Sequence, residues 1–93
     1  LIKFTAFQDG MITVKVPNAT DTDGNIHTYR PSAKYKGVTA ESSLLFPNGN
    51  LDELEFMGKN GQSYVIAVEG QIYAEWQMEV DETVCTSVSI VQQ

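Results

Sequence analysis

The densest cluster of groups that could do chemistry lies between residues 26 and 37, where His27, Tyr29, Arg30, Lys34, Tyr35 and Lys36 fall close together. Rings interleaved with cations suit single-stranded nucleic acid. Bases stack on the rings while guanidinium and ammonium groups pair with phosphates. Tyr29, Arg30, Lys34, Tyr35 and Lys36 are thus the candidate nucleic-acid-binding residues, displayed on an OB-like barrel. Two features oppose this reading. Pro31 suggests a loop or edge, where the same residues are ordinary solvated chain. A net charge of −6 and a pI near 4.5 repel a polyanion at long range.

The other reactive residue types do not assemble into a known chemistry. Asp21-Thr22-Asp23-Gly24-Asn25 looks like the opening of a calcium loop. Setting Gly24 at the invariant glycine position, however, puts Ala19 and Arg30 where the first and last ligands belong. What survives is either a small β-loop cation site at Asp21, Asp23 and Asn25, or a tight turn whose side chains bond the local backbone. Cys85 is the single cysteine, so no internal disulfide or multi-thiolate metal site is available. The nearby Asp81 and Glu82 disfavour its thiolate. His27 lies far from it in sequence. Glu53 with Glu55, and Glu75 with Glu79, could be imagined as paired catalytic carboxylates. The solvent face of a strand explains them equally well. No nucleophile elbow, P-loop or dinucleotide fingerprint occurs. The chain is read as a non-enzyme with no cofactor and no bound metal.

The elements that must carry these residues are strands. The 93 residues suffice for one domain, 1–93, with one core. Asp9-Gly10, Asp23-Gly24, Asn48-Gly49 and Asn60-Gly61 punctuate the chain with dipeptides that favour tight turns. Between them apolar and polar residues alternate. Ile12, Val14 and Val16 oppose Thr13 and Lys15. Ile72, Ala74, Trp76, Met78 and Val80 oppose Tyr73, Glu75, Gln77 and Glu79. Val84, Thr86, Val88 and Ile90 oppose Cys85, Ser87 and Ser89. Residues 71–82 also fit a helix through Ile72, Trp76 and Val80, but alternation matches more of the segment. The predicted fold is all-β: seven to eight short antiparallel strands in a small closed or partly open barrel or a two-layer sandwich. Two hairpins are expected. One joins Leu1–Phe7 to Met11–Val16 across Asp9-Gly10; the other joins Leu51–Met57 to Gln62–Val68 across residues 58–61. The unbroken apolar run Tyr64–Val68 predicts a central strand covered on both faces.

Charge divides along the chain. Residues 1–40 sum to +2 and residues 41–93 to −8. The acidic runs at 52–55 and 79–82 are too few in carboxylates to imitate a phosphate backbone. They read as solvent faces that protect strand edges. No stretch approaches the ~18 apolar residues of a membrane span, and no signal-peptide pattern is read, so no membrane association is expected. The chain opens on Leu1, as a processed form or a piece of a longer chain would, and its compartment stays open. The function this pattern favours is a non-catalytic interaction or assembly module that contacts a protein partner or a second copy of itself. A viral structural or accessory component would fit that class. Met57, Tyr73 and Trp76 are the candidate interface residues, although alternation assigns Trp76 to the core. Single-stranded nucleic acid binding is the alternative.

Overall fold

The computed structural model describes residues 1–36, 38–41, 52–72, 75–80 and 82–93. Most of the strands lie where β-branched and aromatic residues alternate with polar ones. They are β1 (Ile2–Thr5), β2 (Gly10–Lys15), β3 (Ala19–Thr20), β4 (Ile26–His27), β5 (Tyr29–Tyr35), β6 (Val38–Glu41), β7 (Glu53–Gly58), β8 (Ser63–Ile72), β9 (Glu75–Glu79) and β10 (Ser89–Gln92). A single helical turn, α1 (Glu82–Cys85), precedes the last strand.

The strands form two antiparallel sheets and a small ladder. β8 is the spine of the five-stranded sheet. It carries β5 along one side, with β6 beyond, and β1 followed by β9 along the other. The second sheet has three strands in the order β10-β2-β7. β3 and β4 pair only with each other. No closed barrel forms among the described residues. The two main sheets instead face each other across a shared core. Ala33, Tyr64 and Ile66 from the larger sheet meet Ile12, Val14 and Leu54 from the smaller, with Ala6 at the corner. Burying each large aliphatic side chain contributes about 1.5–3 kcal/mol. The all-β expectation therefore stands, with the strands arranged as two layers.

Neither expected hairpin forms. β1 pairs with β8, and β2 pairs with β7 and β10. The segments 6–9 and 59–62 each carry the chain from one sheet to the other. They lie side by side, tied by Gly61 N–H to Ala6 C=O (2.8 Å), Ala6 N–H to Gln62 C=O (2.9 Å) and Asn60 N–H to Asp9 Oδ1 (2.8 Å). Gly61 has φ 81°, the turn geometry its dipeptide suggests. Gly10 is different. It is a strand residue opposite Gly58, and a Cβ on it would fall 1.9 Å from the carbonyl oxygen of Gln93. Close backbone approach, and not a turn, is what requires glycine there.

Three further expectations need correction. β8 is central, but only Tyr64, Ile66 and Val68 face the core. Val65 is 40% exposed on the outer side, because nothing among the described residues covers that face. The expected strand from Val84 begins five residues later, since α1 and the turn after it absorb Val84–Val88; Thr86, Ser87 and Val88 donate back to Glu82, Val84 and Cys85. Residues 71–72 and 75–79 are strand, as alternation favoured over helix, yet the alternation is interrupted. Glu69 pairs with Glu79 and Gln71 with Trp76, an odd spacing on β9 against an even one on β8. This bulge places Trp76 opposite the exposed Gln71 and removes it from the core.

Candidate protein-contact surface

The basic and aromatic groups of 27–36 are separated by the strand that carries them. Neighbours along a strand point to opposite faces. On β5, Pro31 and Ala33 are buried, which turns the half-buried Tyr29 and Tyr35 inward as well. The Tyr35 ring packs 5.5 Å from that of Tyr64, which lies 5.0 Å from Phe56. Arg30 and Lys34 turn outward. Among the described residues the β6 ladder runs along Ser32–Tyr35 of β5 and does not reach Pro31, which fits the missing N–H of proline. Lys36, at φ 47°, holds its ammonium 5.4 Å from the Tyr35 ring.

On the outer face of the larger sheet Arg30 donates to Glu69 Oε2 at 2.6 Å and lies 4.8 Å over the Trp76 ring. This charge-assisted bond and stacked guanidinium neutralise one cation and cover part of the indole. Trp76 is accordingly half-buried outside the core, where a core position had been expected. Further along the same face Val65 stands between Lys3 of β1 and Lys34 of β5 in register. Neither lysine has a carboxylate within salt-bridge reach among the described residues. Tyr73 lies outside the described residues.

The Asp21–Asn25 segment is a self-satisfied turn. Asp21 Oδ1 accepts the Asp23 and Asn25 N–H groups at 2.9 Å each, and Oδ2 meets His27 Nε2 at 3.0 Å. The hydrogen bond from His27, with help from the Asn25 N–H, lowers the Asp21 pKa to about 2. Gly24, at φ 86°, closes the turn. These bonds use the Asp21 oxygens that the β-loop cation reading needed. Among the described residues no three His, Cys, Asp or Glu side chains converge to hold a metal ion. His27 also borders an open cleft of about 270 Å³ with Tyr29, Gly70, Val80 and Val84. Cys85 is a half-buried free thiol and does not line that cleft.

The smaller sheet carries apolar residues on its outer face. Its strands turn Ile12, Val14, Leu54 and Ile90 inward, which leaves Met11, Thr13, Lys15, Glu53, Glu55, Met57, Ser89 and Val91 outward. Met57 is 65% exposed and pairs with Met11; Val91 is 55% exposed and pairs with Thr13, one step diagonal from Met11. Phe7 is exposed on the corner leading into β2. Glu53 lies opposite Lys15 and Glu55 opposite Thr13, so both carboxylates sit on the outer face of the smaller sheet. Met57 was legible in the sequence as an interface candidate. Met11 and Val91 were not, although both occupy the polar phase of their strands, and an apolar residue in that phase is the available signal.

Beyond that surface the edges differ in charge. Lys3 marks β1, Glu41 β6, Glu53 and Glu55 β7, and Glu75 and Glu79 β9, whereas β10 reads Ser-Ile-Val-Gln with no ionisable group. No helix among the described residues is long and apolar enough to cross a membrane. Comparison with known proteins gives no match to a family model, to a curated protein or to a solved structure.

Proposed function

We propose that the chain is a non-catalytic interaction or assembly module that works through protein–protein contacts. The observation that supports this reading is the outward apolar cluster of Met11, Met57 and Val91 on the three-stranded sheet. Methionine adapts to irregular contacts, and burying a side chain as exposed as Met57 on association would contribute about 1–2 kcal/mol. The polar residues flanking the cluster, Thr13, Lys15, Glu53 and Glu55, provide the rim expected of a protein interface. The test is sedimentation velocity on the chain over a wide concentration range. Self-association that weakens in a Met57→Asp variant is the expected result. A monomer at every concentration that recovers no partner from its native source would overturn it.

A second reading, binding of single-stranded nucleic acid, is favoured by one observation: Lys3 and Lys34 flank Val65 on the outer face of the larger sheet with no carboxylate partner among the described residues. With Tyr29 and Tyr35 turned inward, the half-covered Trp76 is the aromatic ring available for stacking on that face among the described residues. Titration with a fluorescent oligonucleotide at low salt separates the two readings. Binding that falls steeply with added salt supports nucleic acid; no binding at low salt eliminates it.

A further inference from the structure

We infer that two copies of the chain pair through β10, antiparallel and edge to edge about a two-fold axis at Val91, joining their three-stranded sheets into one continuous sheet. The inference rests on the assembly reading above and specifies its geometry. Backbone bonding comes first. Gln93 N–H donates to Met11 C=O at 3.0 Å, which makes Gln93 and Met11 a hydrogen-bonded pair. Such pairs alternate along an antiparallel ladder. Val91 with Thr13 and Ser89 with Lys15 are therefore bonded pairs, and the N–H and C=O groups of Ile90 and Gln92 point away from β2. Among the described residues no strand occupies that side.

Self-pairing meets this pattern. With Val91 opposite its own copy, Ile90 of one chain faces Gln92 of the other. Each pair exchanges both bonds, so every outward group of Ile90 and Gln92 finds a partner. A register centred on Ile90 or on Gln92 leaves some of them unpaired. The axis then places Val91 against Val91 at a non-hydrogen-bonded position, where side chains approach closest. Both valines lie on the outer face, diagonal to the Met11–Met57 pair of their own chain.

Charge selects the same edge. Copies with a net charge of −6 repel one another. Pairing β7, β9, β6 or β1 with its own copy would bring Glu53 and Glu55, Glu75 and Glu79, Glu41, or Lys3 toward their like-charged equivalents. Among the described residues β10 is the strand bounding the main sheets that carries neither a charge nor a proline, two common guards against edge pairing. A two-fold dimer also closes on itself, whereas a head-to-tail contact would propagate.

The experiment is sedimentation velocity on four samples of the chain: wild type, Val91→Lys, Val91→Glu and an equimolar mixture of the two variants. Circular dichroism of each confirms folded strands. The expected result is a wild-type dimer, variants weakened by roughly a hundredfold through like charges at the axis, and a mixture that dimerises again because lysine then faces glutamate. Variants that dimerise like wild type would overturn the β10 inference and leave the assembly reading standing. Monomeric variants whose mixture stays monomeric would remove Val91 from the axis and overturn it too. A monomeric wild type would overturn self-association altogether. Should a charged variant fail to fold, Val91→Cys in a Cys85→Ser background gives the answer. Opposed non-hydrogen-bonded positions lie within disulfide reach, so mild oxidation should cross-link two chains, and absence of the cross-link overturns the inference.

Discussion

Replacing Gly58 by alanine adds a methyl group where the smaller sheet has no room for it. A Cβ at Gly58 would lie 2.3 Å from Ile12 Cδ1 and 2.9 Å from its Cγ1. Carbon atoms in contact settle at about 3.5–4.0 Å, so the groups must separate by roughly 1 Å or more. Ile12 cannot give way freely. It is 0% exposed and belongs to the cluster with Val14, Leu54, Tyr64 and Ile66. Overpacking of this kind costs about 1–3 kcal/mol, offset by about 0.4–1 kcal/mol because alanine restricts the unfolded chain. The net loss is about 1–2 kcal/mol, from a total of roughly 5–14 kcal/mol for a domain of this length. Urea unfolding at fixed protein concentration reads it, the fixed concentration keeping any association term constant. Ile12→Val supplies the control. It removes the Cδ1 atom that the new methyl group meets and costs about 0.5–1.5 kcal/mol alone. The double variant should be more stable than the sum of the two losses by about 0.5 kcal/mol or more. A neutral Gly58→Ala, or strictly additive losses, would show that the sheets are not packed as tightly at this point as the geometry requires.

Two other perturbations test the corner and the small ladder. Tyr64→Phe keeps the ring against Tyr35 and Phe56 but deprives the Lys59 N–H of its acceptor at 3.0 Å; it should lower stability by about 1 kcal/mol, and an unchanged urea midpoint would mean that this bond holds nothing in place. Asp21 has a carboxyl pKa of about 2 against an ordinary 3.8. A depressed folded-state pKa means that the unfolded chain binds the proton more readily, so the turn's contribution is complete above the ordinary carboxyl pKa and is lost as pH falls through about 2. A carboxyl titration followed by nuclear magnetic resonance should show that midpoint, with the Asp23 and Asn25 amide signals moving in step. A midpoint near the ordinary value would contradict the bonding drawn for the turn.

The sequence made the strands legible because burial imposes a period of two. Ile12 and Val14, and Tyr64, Ile66 and Val68, face the core as their spacing requires. Pairing was less legible. The same Gly-containing dipeptides serve a tight turn, a crossing between sheets and a close backbone approach. Asp23-Gly24 closes a turn, Asn60-Gly61 lies in a corner, and Gly10 makes room for Gln93. Nothing local distinguishes these uses, since the deciding atoms come from distant chain. Trp76 was misplaced for a similar reason. One bulge opposite Gly70 reverses the phase of a strand, and no residue type announces it. The basic–aromatic cluster shows the opposite failure. Tyr29 next to Arg30, and Lys34 next to Tyr35, already imply opposite faces once the segment is a strand, so the alternation rule itself separates rings from cations. The outward apolar patch was half visible, through Met57. Its completion by Met11 and Val91 required the register that brings β2, β7 and β10 together.

The crossing corners also govern how the chain can fold. Because residues 6–9 and 59–62 change sheets, the strands on either side of each corner cannot zip together as local hairpins. β1 must find β8, with Ile2 opposite Ile66, and β2 must find both β7 and β10, with Ile12 opposite Phe56 and Gln92. Loop closure must therefore precede most of the stabilising contacts, which slows folding. As the chain emerges from the ribosome, β2 waits with both edges open until β7 arrives, and with one edge open until β10 follows. During that interval its bare edges, and not those of the finished sandwich, are the surfaces most exposed to wrong partners.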